Sequence, residues 1–384
     1  MKEIPKLYEK KQDCCGCTAC SAGCPKGAIT MQTDAEGFSY PVIDGELCVS
    51  CNRCLAVCPF KQDHFAETEP QTIAYAARAK DQRVLEKSTS GGMFVPISNY
   101  ILEQGGAVAC CIYDYKDNQL NFQLVTNPQE RDLAIGSKYI NSQLGDIFQK
   151  CLQWLLDNPD KNLLFVGMGC QAAGFRSFMK TQKMSERVYV VDIICHGLPS
   201  DRIWKAYAEH LEKKYKGKLE QLAFRDKRKG WSHPIPVALV GGKEVSIKGY
   251  SNIFYSCNAL KPSCYACPYA TVKRQSDWTI GDYWGIEKVL PDFYDEKGNS
   301  LILVHTPRGN ELFNAVSGQL DYCLTALEDC LQPNLVAPTA RPAQREQFWR
   351  DYQKGGIHLL EAKYGGTSYF WKGIHKIRRL LKMQ

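Results

Sequence analysis

Eight cysteines near the start of the chain repeat one spacing twice. Each copy reads Cys-x2-Cys-x2-Cys-x3-Cys-Pro, and the copies are Cys14, Cys17, Cys20, Cys24 and Pro25, and Cys48, Cys51, Cys54, Cys58 and Pro59. The first three thiolates of such a run bind one 4Fe-4S cluster, and the fourth, before the proline, binds the neighbouring cluster. The spacing therefore predicts two clusters, the first bound by Cys14, Cys17, Cys20 and Cys58 and the second by Cys48, Cys51, Cys54 and Cys24.

Zinc sites and disulfides are the alternatives for these thiols. Zinc proteins usually pair two Cys-x2-Cys units and do not run three cysteines in series. A disulfide framework gives no reason for one spacing to recur so closely. The repeat therefore favours a two-cluster ferredoxin domain, which we place at residues 1–66.

A further group of cysteines lies later in the chain. Cys264 and Cys267 are separated by two residues and followed by proline, and Cys170 and Cys195 each follow a predicted strand. Because the carboxyl ends of strands in an α/β sheet meet at one edge, these four thiols are predicted to hold a third 4Fe-4S cluster. Cys257 is the rival fourth ligand. A zinc site or unrelated buried thiols are the alternatives.

Three short segments have residue types that suit a flavin. They are Ser90, Gly91 and Gly92; Ser137, Lys138 and Tyr139; and Gly281 and Asp282. The first precedes a predicted helix, where free backbone N–H groups suit a phosphate or a flavin carbonyl. The second offers a hydroxyl, a cation and an aromatic ring, and the third lies among aromatic residues. A serine-glycine helix start is more often an ordinary N-cap, so each segment alone is weak evidence.

A glycine-containing turn resembles a dinucleotide-binding fingerprint. Gly167-x-Gly169-x-x-Ala172 follows a predicted strand, and Asp192 ends the next strand. Cys170 lies inside the turn, where its thiolate would crowd a pyrophosphate. The pattern therefore disfavours a nicotinamide site.

The hydrophobic pattern alternates strands with helices after residue 71. Strands are predicted at 28–31, 39–42, 72–79, 107–113, 162–166, 187–194, 219–225, 236–240, 245–250 and 301–305. Helices are predicted at 93–103, 145–156, 171–180 and 200–215. This pattern indicates an α+β ferredoxin-like two-cluster domain followed by an α/β flavoprotein domain with an added β region. We expect the second domain at 71–335 and a helical, basic C-terminal tail at 336–384.

Composition limits the partners. The chain of 384 residues carries a formal charge of +7, but each oxidised 4Fe-4S cluster with its thiolates contributes about −2, so three clusters leave about +1. We therefore expect no nucleic-acid partner. No stretch approaches the roughly 18 apolar residues of a membrane span, and the start of the chain has no apolar signal segment. The protein is expected to be cytoplasmic.

Basic residues gather in segment 371–382, where they alternate with Ile374, Ile377, Leu380 and Leu381. Such a helix could make peripheral contact with an acidic partner or a membrane surface. A solvated terminal helix is the commoner outcome for this pattern.

Seven motifs, in order, resemble the family of beta subunits of coenzyme F-420 (deazaflavin) hydrogenases and dehydrogenases. They are Ser90-Gly91-Gly92, Ser137-Lys138-Tyr139, Gly167 through Gln171, Ile194-Cys195-His196-Gly197, Phe224-Arg225-Asp226-Lys227, Cys264-x2-Cys267-Pro268 and Asp277 through Gly285. The resemblance covers about residues 71–340. It implies FAD and an internal 4Fe-4S cluster, and the ferredoxin domain is similar to that of fused family members. One departure is Met168-Gly169, where the family commonly has threonine-proline or isoleucine-proline.

These observations predict an iron–sulfur flavoprotein oxidoreductase. It would pass electrons between a one-electron donor, or reduced deazaflavin, and a two-electron small-molecule substrate. Redox partner proteins or a reduced coenzyme are the expected partners, and Lys138 is expected to tune the flavin. The resemblance to the bacterial branch implies a role in polysaccharide biosynthesis. Catalytic residues are not assigned.

Two alternatives belong to other classes. One is an electron-transfer subunit with no substrate site, and the other is a non-redox binding module attached to a ferredoxin. The remaining cysteines are interpreted as packing thiols. Arg225-Asp226-Lys227 with Lys229-Gly230-Trp231 forms a charged turn that could face an anionic substrate, although a solvated loop is the commoner outcome.

Overall fold

The structure is a computed structural model that describes residues 3–61 and 72–366. The basic segment 371–382 and most of the polar segment after Phe60 lie outside the described residues.

Fourteen strands occur in the part of the chain that the structure describes. They are β1 (Ile29–Thr33), β2 (Ser39–Ile43), β3 (Ile73–Ala79), β4 (Ala107–Asp114), β5 (Gln119–Val125), β6 (Ser142–Gln143), β7 (Leu163–Met168), β8 (Val188–Ile193), β9 (Leu219–Asp226), β10 (Ile235–Val240), β11 (Lys243–Ser246), β12 (Trp278–Asp282), β13 (Ser300–Val304) and β14 (Leu320–Thr325).

Thirteen α-helices are found in the same described ranges. They are α1 (Ala19–Ala22), α2 (Arg53–Ala56), α3 (Gln82–Lys87), α4 (Phe94–Glu103), α5 (Pro128–Asp132), α6 (Ile147–Asp157), α7 (Gly169–Thr181), α8 (Asp201–Tyr215), α9 (Lys248–Tyr255), α10 (Ile286–Val289), α11 (Pro307–Val316), α12 (Pro333–Val336) and α13 (Arg345–Tyr364). None of the described helices is long and apolar enough to cross a membrane.

The N-terminal region has the ferredoxin-like arrangement that the cysteine repeat predicts. Strands β1 and β2 form an antiparallel hairpin with Ile29 opposite Ile43. The two cysteine runs have the same local backbone, because Thr18 and Asn52 precede α1 and α2 with φ values of 62° and 58°. The sequence repeat is therefore also a structural repeat.

A nine-stranded mixed sheet forms the centre of the larger region, in the order β14-β3-β13-β12-β8-β7-β4-β5-β6. The four central strands β12, β8, β7 and β4 run parallel. Strands β13, β3 and β14 pair in antiparallel fashion, and β5 is antiparallel to β4 and parallel to β6. Parallel central strands align their carboxyl ends at one edge, which is the edge where α/β proteins place their sites.

Helices cover both faces of this sheet. Alternate residues of a strand point to opposite faces, so Leu163 and Phe165 of β7 pack with α6 and α7. Leu164, between them, packs on the other face with residues of α4 and α11. Strands buried on both faces read as continuous apolar runs, which explains why the sequence predicts β4, β7 and β8 within a few residues.

The added β region is a three-stranded antiparallel sheet in the order β11-β10-β9. The predicted strand at 245–250 is wrong in its second half, because β11 ends at Ser246 and α9 begins at Lys248. Tyr250, Ile253 and Phe254 are buried at helical spacing in one cluster with α8 and α13. A short apolar run does not by itself distinguish a strand from a buried helix.

Candidate functional site

The eight cysteines of the repeat line two small cavities in the ferredoxin domain. The first is lined by Cys14, Cys17, Cys20 and Cys58. The second is lined by Cys24, Cys48, Cys51 and Cys54. Each run thus sends its fourth cysteine to the other cavity, which is the crosswise arrangement that the spacing predicts.

Burial keeps several of these thiols protonated when no metal is bound. Burial raises the pKa of the Cys14 thiol to about 12, and neighbouring thiols add to the effect. A thiol with this pKa loses its proton near neutral pH when a metal ion takes the proton's place. Burial also raises the pKa of Cys20, Cys54 and Cys58.

A third cavity, of about 40 Å³, collects the later cysteines at the sheet edge. It is lined by Cys170, Cys195, Cys264 and Cys267. Cys170 lies in the first turn of α7, directly after β7, and Cys195 follows β8. The other two lie in and directly after the 3-10 turn Pro262–Ala266. The structure therefore brings together the four thiols that strand order and spacing predict.

Cys257, the rival ligand, does not line this cavity. Its Sγ lies 3.2 Å from Nε2 of His196 and 3.3 Å from the carbonyl oxygen of Tyr255. The geometry favours Cys170 over Cys257 as the fourth thiol of the set.

The four thiols influence one another electrostatically. Burial raises the pKa of Cys195 well above the usual value, and the negative charges of Cys264, Cys170 and Cys267 raise it further. The backbone N–H of Leu198 donates to Sγ of Cys264 at 3.2 Å, which favours a negatively charged sulfur there. The site is therefore suited to a cationic occupant.

A larger cavity of about 330 Å³ lies at the same edge of the sheet. Seven of the eight residues predicted to bind a flavin line it: Ser90, Gly92, Ser137, Lys138, Tyr139, Gly281 and Asp282. The eighth, Gly91, donates its backbone N–H to Oγ of Ser300 at 3.0 Å. A Cβ on Gly91 would lie 2.5 Å from the carbonyl oxygen of Ala77, so close packing requires glycine here.

The ammonium of Lys138 forms hydrogen bonds within its own loop. It donates to the carbonyl oxygens of Ala134, Ile135 and Gly136 at 2.8, 3.2 and 3.0 Å. Burial lowers the pKa of Lys138 to about 8. Lys138 therefore presents a positive charge to the cavity while these loop carbonyls hold its ammonium.

Arg225 lies in β9 and lines a cavity, so the prediction of a solvated loop is wrong for this residue, while the alternative of an anionic ligand stays a prediction. Arg225 is 6% exposed and lines the large cavity. Its Nη1 forms an ion pair with Asp282, and its guanidinium lies 5.0 Å from the ring centroid of Trp284. Among the described residues, Nη2 of Arg225 has no hydrogen-bond partner. A buried N–H group without a partner costs free energy unless a ligand accepts its hydrogen bond.

The charged residues around Arg225 in the sequence do not indicate that its side chain is buried. Phe224 and Arg225 are consecutive in β9, so their side chains point to opposite faces of the strand. Phe224 packs in the core. The tertiary structure places the cavity on the face of β9 that carries Arg225.

The turn that resembles a dinucleotide fingerprint has a different role. Asp192 is buried and lies 3.5 Å from Nη1 of Arg274 in an ion pair, so its carboxylate does not face a ribose. A Cβ on Gly169 would lie 2.7 Å from the same Nη1. The departure at Met168-Gly169 thus has a packing reason, since the arginine side chain occupies the space beside the turn.

The two sheet-edge cavities are neighbours, and Met168 lines both. The family profile for the C-terminal part of the beta subunits of coenzyme F420 hydrogenase/dehydrogenase matches residues 160–329, and a 4Fe-4S dicluster domain profile matches residues 13–62. The chain thus carries, after a 4Fe-4S dicluster domain, a region similar to the C-terminal part of the coenzyme F420 hydrogenase/dehydrogenase beta subunits. The family match contains all four thiols of the third cavity as well as Arg225 and Asp282, and the dicluster match contains the eight cysteines of the repeat.

Two named proteins are similar to this chain. The F subunit of the F420H2 dehydrogenase of Methanosarcina mazei is 26% identical over 210 residues, which cover 50% of this chain and 56% of the relative. The match thus spans about half the length of that curated relative. A solved structure of the F420-reducing [NiFe] hydrogenase complex from Methanosarcina barkeri is 17% identical, covering 78% of this chain and 92% of that chain, with a TM-score of 0.45.

Proposed function

We propose that the protein is an iron–sulfur flavoprotein oxidoreductase. Two N-terminal 4Fe-4S clusters exchange electrons with a one-electron partner, a third cluster relays them, and FAD in the large cavity connects them to a two-electron small-molecule substrate. Reduced deazaflavin is the substrate class that the name of the Methanosarcina mazei relative suggests. The protein's part is to position the cofactors and set their potentials.

The observation that carries this proposal is the continuity of the sites along β7 and α7. Gly174 of α7 packs against Cys17 of the first cavity. Cys170, one turn earlier on the same helix, lines the third cavity. Met168, at the end of β7, lines both the third and the large cavity. One strand-helix unit therefore touches the first, third and large sites in order.

Cys15 lies near the contact between the first site and α7, the helix that carries Cys170. Its spacing predicts a packing thiol, and it is buried in the apolar cluster around α7. Hydrogen bonding to Cys17 and to Cys170, together with burial, raises the pKa of the Cys15 thiol. Cys15 also lines the first cavity together with Cys17, and Cys170 packs against the apolar cluster that contains Cys15.

A third 4Fe-4S cluster fits the sheet-edge thiols. Cys170, Cys195, Cys264 and Cys267 would hold it, and when bound it would supply a one-electron relay. Within the described residues, no three His, Cys, Asp or Glu side chains are placed to hold a single metal ion. Thiols that share a cavity without meeting at one point suit a multi-iron cluster better than a zinc ion.

We assign FAD to the large cavity, whose volume of about 330 Å³ lies at the lower end of the size range of ligand pockets. FAD would supply the exchange between one-electron and two-electron chemistry. The free Nη2 of Arg225 and the hydroxyls of Ser90 and Ser137 would bind its anionic and polar groups. Tyr139, stacked on Phe254 at 4.9 Å between ring centroids, would contribute a fixed aromatic wall.

Electrons from a partner protein would enter through the second cluster. Cys51 is the exposed cysteine of that site, and Leu47 and Val49 beside it are 53% and 46% exposed. Apolar side chains around an exposed cluster ligand form a short-range docking surface for a redox protein.

Cofactor analysis of anaerobically purified protein tests the proposal. Iron, acid-labile sulfide and flavin would be quantified together with a visible spectrum. We expect about twelve irons and one FAD per chain. A measured content of about eight irons per chain would contradict the third cluster. Protein that is isolated without flavin and does not bind added FAD would contradict the flavin site.

A further inference from the structure

Lys261 is a buried lysine that connects the two regions of the molecule. It is 2% exposed and lies directly before the 3-10 turn that carries Cys264. Its ammonium donates to the carbonyl oxygen of Ser39 in the ferredoxin hairpin at 2.9 Å. The same nitrogen lies 3.8 Å from the ring centroid of Tyr40 and 5.4 Å from that of Phe38. A side chain from the later region is thus enclosed by the ferredoxin domain.

Lys261 lies beside both cysteine sites, with its ammonium near the first and its backbone at the turn that carries Cys264. A Cβ on Gly16, between Cys14 and Cys17, would lie 3.2 Å from Nζ of Lys261. The backbone carbonyl of Lys261 accepts a hydrogen bond from the N–H of Cys264 at 2.9 Å. Burial lowers the pKa of Lys261, and the negative charges of Cys14, Cys15 and Cys264 oppose this effect. One positive charge therefore acts on a ligand of the first cluster and on a proposed ligand of the third.

The described residues give Lys261 no carboxylate partner. It forms a hydrogen bond to Ser39 and contacts two aromatic rings, but no ion pair joins it to an aspartate or glutamate of residues 3–61 or 72–366. Burying an ammonium without a counter-charge is costly. A 4Fe-4S cluster with four thiolates carries about −2 when oxidised and more when reduced, so clusters on either side would supply that charge.

We propose that Lys261 is the shared counter-ion of the first and third clusters and raises the reduction potential of both. The effect on the third cluster rests on the proposed function, whereas the effect on the first depends on the dicluster domain alone. Reduction adds one electron to a cluster, and a nearby fixed cation stabilises the added charge. At the effective dielectric constant of a partly buried site, one charge about 10 Å away changes the reduced-to-oxidised ratio by roughly tenfold.

Two variants separate the charge from the hydrogen bond. Lys261→Gln keeps an N–H donor for Ser39 and removes the charge, and Lys261→Arg keeps both. The measurement is an EPR-monitored redox titration of each anaerobically purified full-length protein, with iron quantified beforehand. The second cluster serves as an internal reference, because its cavity is lined by other residues.

In Lys261→Gln we expect the reduced-to-oxidised ratio of the first cluster to fall about tenfold at a fixed potential, which corresponds to about 59 mV for one electron. The third cluster should shift in the same direction, the second should not, and Lys261→Arg should titrate like the wild type. Unchanged potentials in Lys261→Gln, or equal shifts in both variants, would overturn the proposal.

The two proposals can fail separately. If iron analysis finds about eight irons, the third cluster is absent, and the shift of the first cluster still decides the role of Lys261. If Lys261→Gln loses iron during purification, the titration is made on the reconstituted protein. An unshifted first cluster there would also overturn the proposal.

Discussion

Gly174 of α7 and Cys17 of the first cluster site are in direct contact. A Cβ on Gly174 would lie 2.7 Å from Sγ of Cys17, which is closer than real Cβ contacts. This helix carries Cys170 one turn earlier, so the absence of a side chain at Gly174 brings the first and third sites near each other.

Gly174→Ala should separate these sites. In a helix this change usually stabilises a protein slightly, but here we expect about 1–3 kcal/mol of destabilisation from overpacking and faster loss of iron. Thermal unfolding and iron retention measure the effect. Gly318→Ala is the matched control, because a Cβ there meets nothing within 4 Å. Wild-type stability and iron content in Gly174→Ala would contradict the contact.

Cys170→Ala should remove the third cluster. Loss of one of four thiolates is expected to lower the iron content by about four per chain and leave the two N-terminal clusters intact. Cys257→Ala is the control, since the Cys257 thiol contacts His196 and does not line the cavity. Iron quantitation and EPR distinguish the outcomes. If Cys257→Ala loses iron and Cys170→Ala does not, Cys257 is the fourth ligand of the third cluster and Cys170 is not.

Arg225→Gln should weaken flavin binding. A hydrogen bond to a charged group contributes about 1.5–3 kcal/mol, so the Kd for FAD is expected to rise roughly ten- to hundredfold. Arg228→Gln is the control, because Arg228 is half exposed and pairs with Asp226 and Glu244. Flavin fluorescence during titration of the deflavinated protein gives both Kd values.

Loss of the Arg225 charge also leaves Asp282 without its ion-pair partner. The double variant Arg225→Gln with Asp282→Asn controls for this, because it removes both charges. If the double variant binds FAD like the wild type, Arg225 acts only as a partner for Asp282.

Flavin binding should depend on pH through Lys138. Burial lowers the pKa of Lys138 to about 8, so its positive charge is present below that pH and is lost as the pH rises through it. We expect affinity for the anionic flavin to fall roughly three- to tenfold between pH 7 and pH 9. Lys138→Met should bind more weakly at pH 7 and lose this pH dependence. A wild-type pH profile in that variant would show that another group titrates.

The sequence determined the parts of the protein that depend on local spacing. The cysteine repeat predicts both N-terminal ligand sets, because ligands two or three residues apart are positioned by one short stretch of backbone. Apolar runs predict β4, β7 and β8, because buried parallel strands need apolar side chains on both faces. Those strands also placed Cys170 and Cys195 at the same edge of the sheet.

The tertiary structure alone decided which distant residues meet. Arg225 is buried because its side chain meets Asp282 and the ring of Trp284, which lie far from it in the chain. Lys261 lies beside two cysteine sites, and Cys15 packs near α7, because the ferredoxin domain docks on α7 and the turn before Cys264. Such contacts join residues far apart in the chain, and their free energy comes from packing that no local pattern of residues specifies.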